Sequence, residues 1–101
     1  MLGFLVSLAL ALAAPAAPPA PPSDHIAKIM ARADGASPET AYKVASVRDE
    51  YEIVAALGLT VKSQALVMRG KKAYDLLEVA DPRDGSPRRL WFDINSFYPE
   101  F

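Results

Sequence analysis

Cysteine is absent from the 101-residue chain. That one absence excludes disulfide staples, thiolate nucleophiles, cysteine metal sites and a lipid-modified amino-terminal cysteine. Histidine occurs once, as His25. A multi-histidine metal centre is therefore excluded, and any Ser–His–acid triad would have to be built on His25, which follows a proline-rich stretch and is expected at the surface. An excess of one charge is missing as well, since 11 basic and 12 acidic residues leave a formal charge of −1. The basic residues come in short clusters, Arg69 with Lys71 and Lys72 and Arg88 with Arg89. They do not form the stripe that neutralises a phosphate backbone, so nucleic acid is not expected as a partner.

Charge of either sign is also missing before Asp24. Residues 2–14 read LGFLVSLALALAA, an apolar run closed by small residues, which is the pattern of an export signal with Ala11-Leu12-Ala13 as its recognition site. A membrane span needs roughly 20 apolar residues, and Pro15, Pro18 and Pro19 close this run earlier. Membrane contact is expected only through this leader if it is left uncleaved. Residues 15–23, PAAPPAPPS, should form an extended polyproline-like spacer with no core of its own. The expected division is a signal peptide at 1–14, a spacer at 15–23 and one small domain at 24–101, exported to the periplasm or secreted. A domain of that size holds one core near the lower limit of sufficiency. Without cysteines that core must hold it alone.

Within the domain, Ser23 or Asp24 can cap a short helix reaching residue 33, with Ile26, Ile29 and Met30 on one face. Residues 42–45 are a short strand candidate. Ser46 opens the most legible element: Asp49 stands at its third helical position and Gly58 lies just past its last turn. Val47, Tyr51, Val54 and Ala55 are read as its apolar face, widened by Ile53 and Leu57, with Arg48, Asp49, Glu50 and Glu52 on the polar side. Tyr51 and Phe92 are expected to join this helix to the sheet. Residues 60–69, 73–80 and 88–94 read as strands of an antiparallel meander. In the last of them Leu90, Phe92 and Ile94 alternate with Arg89, Trp91 and Asp93, so the core lies on the first set's side. The Leu76-Leu77 pair breaks alternation and predicts a bulge or burial on both sides. The fold class is α+β, a three- to four-stranded antiparallel sheet packed against one main helix with a short helix before it.

Several short motifs run in order through this region. They fall on Gly35, Ser37, Ala41 and Tyr42; Ser46, Val47, Glu50 and Tyr51; Leu57, Gly58 and Leu59; Tyr74 and Asp75; and Phe92, Asp93, Ile94 and Phe97. In these the chain resembles an uncharacterised family of small exported bacterial proteins. The resemblance spans residues 26–98 and implies an exported bacterial domain of unknown function; it names no activity and adds no catalytic residue. The carboxyl end departs from it, with Tyr98-Pro99-Glu100-Phe101 where relatives close on Phe, Gly and a basic residue.

Among possible chemistries, Glu50, Asp75, Glu78 and Asp93 are the carboxylates expected near the sheet, and a hydrolase would need two of them opposed across a cleft. Residues 81–86, DPRDGS, superficially resemble a calcium loop but lack its ligand spacing and read as a hairpin turn. Asp93 has two readings: a solvent-side residue accepting from the turn that follows it, or part of a binding patch with Tyr74 and Trp91. Neither catalytic residues nor a cofactor or metal are assigned. The function expected is a non-catalytic binding or accessory module of the cell envelope, its partner an envelope protein or a small ligand. The alternatives are a small carboxylate hydrolase and a secreted inhibitor or partner-capping module. Oligomeric state is not specified by these features.

Overall fold

The computed structural model describes residues 21–99. The expected signal peptide and all but the end of the spacer lie outside the described residues. Helix α1, Asp24–Ala31, begins at Ser23, whose hydroxyl accepts from Ile26 N. Strand β1 is Tyr42–Lys43, helix α2 is Val47–Ala56, and strands β2 (Thr60–Arg69), β3 (Lys72–Ala80) and β4 (Pro87–Asp93) follow. A short 3-10 turn, Pro38–Thr40, leads into β1.

Both ends of α2 are closed by local chemistry. Ser46 accepts from Asp49 N, which satisfies one of the unpaired amides of the first turn. Gly58, at φ +74°, donates to Ala55 O while Leu59 N reaches Val54 O. Those two bonds are the paired closure of a left-handed helix end, where glycine carries no Cβ penalty.

The four strands form one sheet in the order β1-β4-β3-β2. The two hairpins are antiparallel as expected, but β1 runs parallel to β4, with Tyr42 beside Phe92 and Lys43 beside Asp93. The sheet is therefore mixed. The reversal arises because β1 is separated from β4 by α2 and a complete hairpin and so enters at the far edge, a pairing that local pattern does not encode.

Alternation sorts the residues into two faces. Leu77, Val79, Leu90 and Phe92 point to the helices and are essentially dry, as are Ile26 of α1 and Ile53 of α2. Tyr42 and Phe92 rings meet at 5.6 Å. Leu76, beside Leu77, is half-buried on the other face, so β3 is covered on both sides without a bulge. The register shift lies in β2 instead, between Val61 and Ser63.

One expectation for α2 is corrected. Its buried residues are Asp49, Glu50, Ile53 and Val54, while Val47 and Tyr51 are exposed, Tyr51 by 46%. Phe92 packs in the core and Tyr51 does not. The helix is rolled toward donors from the turn before it and from α1: Asp49 Oδ2 accepts from Ala45 N and from His25 Nε2, each at 2.9 Å. Ile53 and Val54 then enter the core, and Tyr51 moves to the rim, where its hydroxyl donates to Gln64 Oε1 at 3.0 Å.

Candidate functional site

Tyr74, Trp91 and Asp93 lie together on the sheet face away from the helices. Tyr74 is the direct partner of Asp93 in the β3–β4 ladder, and Trp91 faces Leu76. The Tyr74 and Trp91 rings meet edge to face with centroids 6.0 Å apart, a favourable quadrupole arrangement. Tyr74 is 6% exposed, whereas Trp91 and Asp93 are half-buried. Asp93 Oδ1 accepts from Asn95 N at 3.0 Å and from Asn95 Nδ2 at 2.7 Å, so it braces the following turn. Asn95 is tied in turn to Ala73 by its amide, with Oδ1 accepting from Ala73 N and Nδ2 donating to Ala73 O.

The registers build this face in rows. Lys43, Asp93, Tyr74 and Val67 form one row across four strands; Trp91, Leu76 and Ala65 form the next; Arg89, Glu78 and Ser63 form the third. In the third, Glu78 pairs with Arg89 at 3.3 Å and accepts from Ser63 at 2.9 Å. A basin of about 580 Å³ opens at the first row. It is walled by Lys43, Arg69 and Lys72, by the carboxylates of Glu39 and Asp93, and by Tyr74. Arg69 is tied to Glu39 at 3.1 Å. The basin thus places cations beside an aromatic floor. The β2–β3 hairpin sets Lys72 beside Arg69, whereas sequence reading missed Lys43 here because its approach depends on the parallel β1–β4 pairing.

Gly35 holds the loop that borders this face. Its carbonyl accepts from Trp91 N and its amide donates to Thr40 O, both at 2.8 Å. It adopts φ +68°, and a Cβ there would stand 2.5 Å from Tyr42 Cε2. Glycine is required on both counts.

The four carboxylates named from sequence divide between the faces. Glu78 and Asp93 are on the open face with the partners given above. Glu50 and Asp75 come together beneath α2. Glu50 is wholly buried, and among the described residues neither of its carboxyl oxygens has a close hydrogen-bond partner, although the Asp75 carboxyl stands next to it. Burial, reinforced by the adjoining Asp75 carboxyl and by Asp49, pushes its pKa up to about 9. Glu50 is accordingly a neutral acid at pH 7. Asp75 is 3% exposed and accepts a long hydrogen bond from Gln64 Nε2 at 3.4 Å, so a polar chain runs from Tyr51 through Gln64 to Asp75.

Asp49, next to Glu50 in the chain, behaves in the opposite way. Burial works to raise its pKa but is outweighed by the Ala45 amide, the hydrogen bond and charge of His25 and the Ser46 hydroxyl, which hold it below its ordinary value. His25 is thus the outer partner of a structural aspartate, with 58% of its side chain exposed against 9% for Asp49. In the 81–86 turn, Asp81 Oδ1 accepts from Arg83 N and Nε, and Gly85 N donates to Asp81 O. The Arg83 side-chain contact, followed by the Arg83 amide, brings the Asp81 pKa down to about 2. The segment closes the β3–β4 hairpin.

The chain matches, over residues 23–100, a family described as a domain of unknown function, DUF4919. It belongs to that family. No curated protein and no solved structure matches it.

Proposed function

We propose that this domain is a non-catalytic binding module of the bacterial envelope or exterior, acting through its helix-free sheet face. The observation that carries the reading is the basin in which Lys43, Arg69 and Lys72 stand beside Tyr74 and Asp93, continuous with the Tyr74–Trp91 pair. Neutral aromatic surface offers apolar contact at little entropic cost, and the cations favour an acidic group on the ligand. The ligand class is therefore an envelope protein segment or small molecule that combines a carboxylate or phosphate with an apolar body.

The test compares retention of envelope components by the chain with retention by Trp91→Ala and Lys72→Ala variants. Trp91→Ala should weaken binding by about 2 kcal/mol or more, as central aromatics do, while the fold is kept with a loss of about 0.5–1.5 kcal/mol from the Tyr74 ring contact. Equal retention by all three chains refutes the reading. Trp91 fluorescence gives a cheaper check: the free domain should emit to the red and be quenched by iodide. Blue, unquenchable emission removes Trp91 from the surface. Export belongs to the same proposal, and intact mass of periplasmic or secreted material should show a start near Ala14; recovery of only full-length cytoplasmic protein refutes it.

A hydrolase reading draws on one specific observation, the opposed ionisation of Asp49 and Glu50, since acid–base pairs are tuned in this manner. Glu50, however, has no exposed surface through which a substrate would reach it. The acid pair is better explained as part of the core.

A further inference from the structure

We propose that the domain pairs with a second copy of itself through the free edge of β2, forming a continuous eight-stranded sheet about a two-fold axis. The two edges of the sheet differ. One is β1, only two residues long, whereas the other is β2, ten residues long. Among the described residues no strand pairs with the outer side of β2. Its single irregularity, between Val61 and Ser63, lies near one end. The stretch beyond it, SQALVM, holds no charge and no proline. An exposed edge of this kind, without the usual protective devices along its centre, is a template for another strand.

The side chains beside the edge point the same way. Among the described residues, the large hydrophobic ones left exposed are Val47 at 36%, Tyr51 at 46%, and Leu66 and Met68 at 49% each. Leu66 and Met68 are opposite Asp75 and Ala73 in the β2–β3 ladder, which puts both on the helix side of β2. Tyr51 reaches that same strand through Gln64. Three of the four therefore lie along this flank, and Val47 stands one helical turn before Tyr51 on the same side of α2. Taking roughly 150–250 Å² for a large side chain, these exposures leave on the order of 270–450 Å² per copy. Two copies supply about 540–900 Å², and a specific interface begins near about 1,200 Å². The strand backbones need add only about 15–33 Å² per residue across both ten-residue edges to reach it.

A second copy also suits the charges. Two antiparallel β2 strands related by a two-fold axis can place Leu66 against Leu66. Gln64 then faces Met68, and Ser63 faces Arg69. Lys62 and Arg69 are never set against each other or themselves, so no like charges are opposed across the seam. The basin at Lys43, Arg69 and Lys72 lies on the face opposite Leu66 and Met68, and Arg69 is the residue it shares with the seam.

The absence of cysteine makes trapping specific. A single Leu66→Cys substitution in the full chain should yield a disulfide-linked dimer under mild oxidation, because facing residues of an antiparallel pair stand within bridging distance. A Lys71→Cys control, beyond the strand, should not. Wild-type chain should sediment at twice its monomer mass. Leu66→Lys should sediment at the single mass with unchanged far-ultraviolet circular dichroism, since the side chain is half exposed. A wild-type chain that stays monomeric at its highest soluble concentration, or equal trapping at positions 66 and 71, overturns the proposal. So does a dimer that survives Leu66→Lys with no cross-linking at Leu66→Cys.

Discussion

Glu50→Gln is expected to stabilise this domain at neutral and alkaline pH, although it alters a residue at the centre of the packing. The neutral acid and the amide are nearly the same shape, and only the acid can ionise. The unfolded carboxyl titrates near 4.5 and the folded one near 9. Because the folded value is raised, folding favours the protonated form: stability is full below about 4.5 and is lost as pH rises toward about 9. Each pH unit in that window removes up to about 1.4 kcal/mol, so at pH 7 the loss relative to the acid limit is on the order of 3 kcal/mol. For a domain whose total stability is about 5–15 kcal/mol, that is easily measured. Urea unfolding at pH 5, 6, 7 and 8 should give midpoints for wild type and Glu50→Gln that nearly coincide at pH 5 and diverge steadily above it. Parallel pH profiles would show that Glu50 ionises normally and would refute the account of its burial.

Three further outcomes test the frame around the sites. Ser46→Ala should cost about 1 kcal/mol in denaturant titration, the usual effect of removing a helix cap, and an unchanged midpoint would contradict the Ser46–Asp49 bond. Phe92→Ala, at 0% exposure, should cost about 3–5 kcal/mol, whereas Tyr51→Ala should cost far less because its ring lies at the rim. Equal losses would restore the face read from sequence. Gly35→Ala should lower the thermal midpoint and broaden the amide resonance of Trp91, since the added methyl meets Tyr42 in a loop that bonds Trp91 N; an unaltered spectrum would contradict that packing.

The sequence determined by itself whatever short-range chemistry decides. Ser23 and Ser46 cap helices because hydroxyls accept from amides three residues on. Gly58 ends α2 because it tolerates positive φ. Strict alternation at Leu90, Phe92 and Ile94 set the inner face of β4, and hence placed Trp91 and Asp93 on the other side. Tertiary structure decided what depends on partners distant in the chain. The parallel entry of β1 brought Lys43 to Asp93, and the basin exists only because that edge closes beside Arg69 and Lys72. Periodicity marked Tyr51 as core and Glu50 as surface, but it weighs only hydrophobicity along one helix. The roll of α2 was set by the bonds of Asp49 to Ala45 and His25, and burial then left Glu50 neutral beside Asp75. A carboxyl's charge is a property of the dielectric and the charges that surround it, and those are assembled only when the chain has folded.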